Sequence, residues 1–260
     1  MGLDYMINFN VPKECIEGSR IPKKLFYEEY DMSSSDKELF TKAIDKVVLE
    51  YMFSEDRVNI AAYKNDDIEC EEVAVIRVLL HEDSKYKRIC EIIQRAIPYS
   101  LIVICEYKKN VLFNAASKRI NKNDAEKNTV EEMIFTDWIS LEKQKKNEKV
   151  FLESLNVREW SYANLYKFYN SFVDKVKLFN ASKYSRNLEV LKSIDIDEVK
   201  KLTDKIESLS FEILSLKDKL KKESQFNKKM DLNIKIKKLE IKRNEFIKQL
   251  NGNKESVKLI

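Results

Sequence analysis

Glu106 and Lys108 flank Tyr107 at the end of an apolar run, and Glu82 and Asp83 close another such run. An acid and a Glu-x-Lys brought together at neighbouring strand ends is the arrangement with which metal-dependent nucleases hold Mg²⁺ and activate water. Asp83, Glu106 and Lys108 therefore define an enzymatic alternative. Against it, Glu-x-Lys is a common tripeptide in a chain that is 35% charged, Lys108 opens a turn where lysine is ordinary, and no Pro-Asp precedes the first acid. Charges at strand ends usually remain in solvent. His81 is the only histidine; without a Gly-x-Ser-x-Gly nucleophile motif it reads as a surface residue at a strand end. Three glycines in the whole chain leave no Gly-x-Gly-x-x-Gly and no Walker A loop. The four cysteines, Cys15, Cys70, Cys90 and Cys105, lack C-x-x-C spacing and read as reduced core thiols. No cofactor and no metal are expected.

The strongest pattern lies elsewhere. Leu202, Ile206, Leu209, Ile213, Leu216 and Leu220 are spaced 4, 3, 4, 3, 4, the seam of a heptad repeat that wants a partner helix. Leu232, Ile236, Leu239, Phe246 and Leu250 continue such a register, with Arg243 interrupting the seam. The two runs predict an antiparallel coiled-coil hairpin. The reversal between Lys222 and Lys229 contains neither Gly nor Pro, so Asn227 is the expected turn or capping residue and Phe226 the cover of the hairpin end. Gln225, Phe226, Asn227 and Asn233 can serve simply to close the hairpin. Ile234, Ile241 and Ile247 are different: they widen the apolar face, and Ile234 and Ile241, off the seam, need cover from this chain or from another. Phe226, Asn227, Ile234 and Ile241 are thus the candidate partner-binding residues, and Lys228, Lys229, Lys235 and Arg243 the candidate contacts to an acidic partner or a phosphate backbone.

Upstream, residues 1–19 read as an irregular lead-in, and Pro22 fixes a turn or extended entry after it. Ser33, Ser34, Ser35 and Asp36 supply helix-start chemistry for a helix through Leu39, Phe40, Ala43, Ile44, Val47 and Val48 that ends near residues 51–54. Residues 58–63 read as a short strand, 71–80 and 101–107 as buried strands joined by a helix over 84–96, 111–116 as a further strand and 129–138 as a strand or strand-turn. Arg77 is the exception within the apolar 71–80 run. Aromatics at 3 and 4 spacing from Tyr162 to Phe179 predict a core helix rather than a base-stacking platform. The expected fold is α+β: a mixed β-sheet with flanking helices over 1–140, a helical connector over 141–198, and the antiparallel hairpin and tail over 199–260.

The net charge of +4 is unevenly spread. Residues 199–260 hold 17 Lys/Arg against 9 Asp/Glu, so the hairpin region carries the positive field while the rest is net negative. The longest apolar stretch, 99–105, falls far short of the about 20 residues of a membrane helix. A cytoplasmic protein that makes no membrane contact is expected.

Four strings resemble a bacterial family catalogued as domain of unknown function 4391: Arg20-Ile-Pro-Lys-Lys-Leu-Phe-Tyr27, Ile97-Pro-Tyr99 leading to Glu106-Tyr107, Thr136-Asp-Trp138, and Glu223-Ser-Gln-Phe-Asn-Lys-Lys-Met-Asp-Leu-Asn233. The last is the most specific, with Ser224 and Met230 departing from its plain form. The resemblance implies genomic company rather than activity: accessory members of bacterial defence operons, beside DNA methyltransferases and helicase-type restriction subunits. It carries no catalytic residues onto this chain. The resulting expectation is a non-catalytic adaptor of an antiphage, DNA-targeting complex, partnered by helicase/ATPase or methyltransferase subunits, with DNA contact and homo-oligomerisation left open.

Overall fold

The computed structural model describes residues 7–29, 32–121, 128–185 and 188–252. Two compact units divide the chain, Met1–Val176 and Lys177–Ile260.

In the first unit the elements run β1 (Ile16–Ile21), α1 (Lys23–Glu29), α2 (Ser34–Ala43), β2 (Ile44–Ser54), the single turn α3 (Glu55–Val58), the short pair β3 (Tyr63–Lys64) and β4 (Glu69–Cys70), β5 (Glu72–Leu80), α4 (Tyr86–Ala96), β6 (Ser100–Tyr107), β7 (Asn110–Ile120), β8 (Asn128–Phe135), β9 (Ile139–Ser140) and α5 (Lys146–Ser154). Helix α6 (Leu165–Ala181) crosses the division. The main sheet has the order β1-β2-β5-β6-β7-β8, with β9 also on β7. Its pairs are antiparallel except β5–β6, which are parallel because α4 returns the chain before the second strand starts. The sheet is therefore mixed, as expected.

Residues Val73–Val78 and Leu101–Cys105 are all buried, so β5 and β6 lie between two covered faces. On one face Ala74, Ile76 and Val78 of β5 and Leu101 and Val103 of β6 share a core with Phe40 of α2 and Ile89, Ile92 and Ile93 of α4. The other face is aromatic: Phe53 meets Phe168 at 4.9 Å between ring centroids, and Phe113 meets Phe151 at 5.4 Å and Phe172 at 6.1 Å. The Tyr169 hydroxyl, fully enclosed, accepts from the Ala116 amide at 2.9 Å and donates to the Ala116 carbonyl at 2.8 Å, pinning α6 to β7. The aromatic helix is core, as its spacing predicts.

Where the structure departs from the sequence pattern, β2 gives the reason. The helix starts as expected, with the Ser33 hydroxyl accepting from the Asp36 amide, but it stops at Ala43 and residues 44–54 are a strand. Register shifts lie between Ile44 and Lys46 and between Leu49 and Tyr51. Each extra residue lengthens the interval between inward-facing side chains, so Ile44, Val47, Val48 and Tyr51 are buried at helix-like spacings while the backbone is extended. The lead-in also differs: it holds Phe9, buried against Tyr51, and ends in edge strand β1. There Gly18, at φ +64°, lies within another register shift, between Ile16 and Ser19. Val58 belongs to α3 rather than to a strand.

The second unit contains α7 (Leu188–Ser193), within the expected connector, then α8 (Ile196–Lys222) and α9 (Phe226–Leu250). The Asp195 carboxylate caps α8 by accepting from the amides of Asp197 and Glu198, and Lys219, Lys221 and Lys222 in its last turn complement the helix dipole. The helices run antiparallel. Leu202 and Ile206, early in α8, share a core with Phe246, Ile247 and Leu250, late in α9. Ile213 and Leu216 cluster with Ile236 and Leu232 nearer the turn. Lys217 pairs with Glu240 at 2.7 Å and Lys235 with Glu212 at 3.3 Å, in the same antiparallel sense.

Candidate functional site

The heptad seam buries one stripe of each hairpin helix and leaves large apolar side chains on the other side. Phe226, Met230, Ile234 and Ile241 of α9 are 74, 50, 52 and 53% exposed, and Phe211 and Leu214 of α8 are 76 and 59% exposed. With 3.6 residues per turn, the four α9 residues fall within an arc of about 80°, opposite the seam. Ile234 and Ile241 thus remain uncovered, as their off-seam positions imply. Phe211, Leu214 and Met230 carry the same signal in the sequence, being large apolar residues outside the 4-3 register, but stand out only once the seam is fixed.

The turn is built differently from expectation. Glu223, Ser224 and Gln225 make the reversal, and the Glu223 carboxylate accepts from the Ser224 and Gln225 amides, both at 2.9 Å. Those hydrogen bonds hold the Glu223 carboxyl below the usual range. Gln225, not Asn227, is the N-cap position, and its side chain makes no capping bond. Asn227 lies exposed in the first turn of α9, and Phe226 points into solvent rather than covering the hairpin end. Of the candidate cations, Lys228 is exposed, Lys235 is engaged with Glu212, and Arg243 is half-buried, with its Nε sequestered and without a hydrogen-bond partner.

The strand-end acids are placed at the ends of β5 and β6. Glu106 stands opposite Leu79 in the parallel ladder. Its carboxylate accepts from Arg77 Nη1 at 3.1 Å, while Arg77 Nε donates to Glu50. Arg77 is 7% and Glu50 6% exposed, so the cation expected to be an exception in β5 is the centre of a buried Glu50–Arg77–Glu106 chain. Burial opposes the charge on Arg77, and the two carboxylates hold its pKa above the ordinary value. Lys108 sits at φ +55° in the β6–β7 turn with Nζ 4.8 Å from the Tyr107 ring centroid. Hydrogen bonding to Tyr107, aided by the charge of Asp83, raises its pKa, the opposite of what activates a base. Among the described residues no group of three or more His, Cys, Asp or Glu is arranged to hold a metal ion.

Two further features escaped the sequence. An apolar cavity of about 380 Å³ opens between β2, β5 and the helices, lined by Phe26, Met52, Ile76, Ile97 and Tyr99 among others. One wall, the Ile97–Tyr99 loop, is held by Lys118 Nζ, which donates to the carbonyls of Ile97 at 2.6 Å and Tyr99 at 2.7 Å. Cys90 and Cys105 are buried free thiols, 3.5 Å apart at sulfur.

A mixed sheet enclosed by helices, followed by a helical hairpin, places the chain among α+β proteins. The chain matches the family model described as Domain of unknown function (DUF4391) over residues 9–242. It belongs to that family. No curated protein and no solved structure matches it. No helix among the described residues is long and apolar enough to cross a membrane.

Proposed function

We propose that this chain is a non-catalytic, cytoplasmic accessory subunit of a bacterial antiphage assembly that acts on DNA, and that it docks a helicase-type or methyltransferase subunit through the outer face of its hairpin. The defence setting rests on the family resemblance. The docking role rests on one observation: four large apolar side chains of α9, all at least half exposed, gathered on the side away from the seam. Grouped apolar side chains in water are the usual mark of a surface that another protein covers.

Hydrolysis at the strand ends finds less support, because Glu106 is committed to Arg77 and the surroundings of Lys108 strengthen its hold on its proton. The test is co-expression with the neighbouring operon subunits. Phe226→Asp and Ile234→Asp are expected to abolish co-purification while leaving the helical circular-dichroism spectrum unchanged. Retained co-purification overturns the docking role. Loss of DNA cleavage on Glu106→Gln with the complex intact overturns the non-catalytic reading.

A further inference from the structure

We infer that the outer face of α9 takes an acidic amphipathic helix, which lies along it as a third helix of the bundle. The inference rests on the adaptor reading and specifies its partner. The apolar arc from Met230 to Ile241 is about 16 Å long at about 1.5 Å rise per residue, three helical turns. A facing helix matches such a strip with its own residues at 3 and 4 spacing.

Charge selects among the occupants. Helix α9 carries 8 Lys/Arg against 3 Asp/Glu. On the helical projection Lys237 and Lys248 fall inside the apolar arc, Lys238 about 40° outside it and Lys242 about 80° outside it. Among the described residues none of these four forms an ion pair, whereas Lys217 and Lys235 pair across the hairpin with Glu240 and Glu212. Asp231 and Glu245 share the flank of Lys238 and Lys242, so the uncompensated positive charge is that of Lys237 and Lys248, within the apolar arc itself. A second copy of this face brings Lys237 and Lys248 against the same two lysines and supplies no carboxylate within the arc. A DNA backbone satisfies the lysines but leaves Met230, Ile234 and Ile241 without an apolar counterpart. An acidic amphipathic helix satisfies both sets, and its carboxylates fix its position along α9.

The experiment uses the full chain and a labelled peptide of about three heptads, Leu on its seam and Glu on its flanks, with a Lys-flanked twin and a short DNA duplex as comparators, read by fluorescence anisotropy. The Glu-flanked peptide is expected to bind, to weaken about tenfold on Ile234→Asp and again on the double change Lys237→Glu, Lys238→Glu, and to weaken with added salt. Circular dichroism verifies that each variant keeps its helices. Failure of the Glu-flanked peptide to bind, equal binding of the Lys-flanked twin, or duplex binding unaffected by Ile234→Asp overturns the inference, as does self-association through this face in sedimentation. If the variants still break co-purification with the operon subunits, the adaptor reading survives that failure. If co-purification is indifferent to them, the adaptor reading falls as well.

Discussion

Arg77 shows how much a single charged residue can be asked to do inside a sheet. Its guanidinium joins β2 to β6 through Glu50 and Glu106, and its side chain is only 8% exposed. Removing one member of a buried ion chain leaves the others desolvated and unpaired, so Arg77→Met is expected to cost about 3 to 5 kcal/mol in urea unfolding. The exception at position 77 was legible in the sequence; its meaning was not, because Glu50 stood in a segment patterned like a helix and could not be placed across from it. Lys118 offers a second residue-scale test. Burial pulls its pKa down to about 7. Between that value and the ordinary lysine value the unfolded chain holds the extra proton, so this group makes stability climb as pH rises through the window, with no slope from it below about 7. Urea unfolding across pH 7 to about 10 is expected to show a steeper rise for the native chain than for Lys118→Met. That variant also loses the two carbonyl bonds, at about 1 to 3 kcal/mol.

Among the elements, the hairpin was read most directly, since a 4-3 repeat asks for a facing helix and a matching stripe follows in the same chain. Only its turn was misassigned: Glu223 supplies through its carboxylate what a cap residue supplies elsewhere, and no turn-forming residue type announces it. Strand β2 was read least well, and for a definite reason, as its two register shifts imitate helical spacing. The hairpin yields a clean contrast between neighbours. Ile213→Ala, at a position 3% exposed, is expected to cost about 2 to 5 kcal/mol, and Leu214→Ala, 59% exposed, less than about 0.5 kcal/mol, by thermal or urea unfolding. Equal effects at the two positions contradict the seam. The apolar cavity belongs to this scale too: it arises where β2, β5, α1 and α4 fail to close, a property of packing that no local pattern encodes.

For the whole molecule, the charge division seen in the sequence says more than the sum: the C-terminal region is net positive and the remainder net negative. The two compact units also imply separable stability. Amide exchange is expected to be slowest in β5 and β6, which are covered on both faces, and Arg77→Met is expected to speed it there while leaving α8 and α9 unchanged. Acceleration in the hairpin argues that the units unfold as one. The kink at Gly18 reaches further still. A straight outermost strand displays a ladder of unused amides and carbonyls on which a second molecule can grow, the first step toward fibrils. By breaking that ladder midway, one residue in the left-handed region is expected to make this rim a poor growth template, and its deletion is expected to raise the light scattering of a concentrated solution.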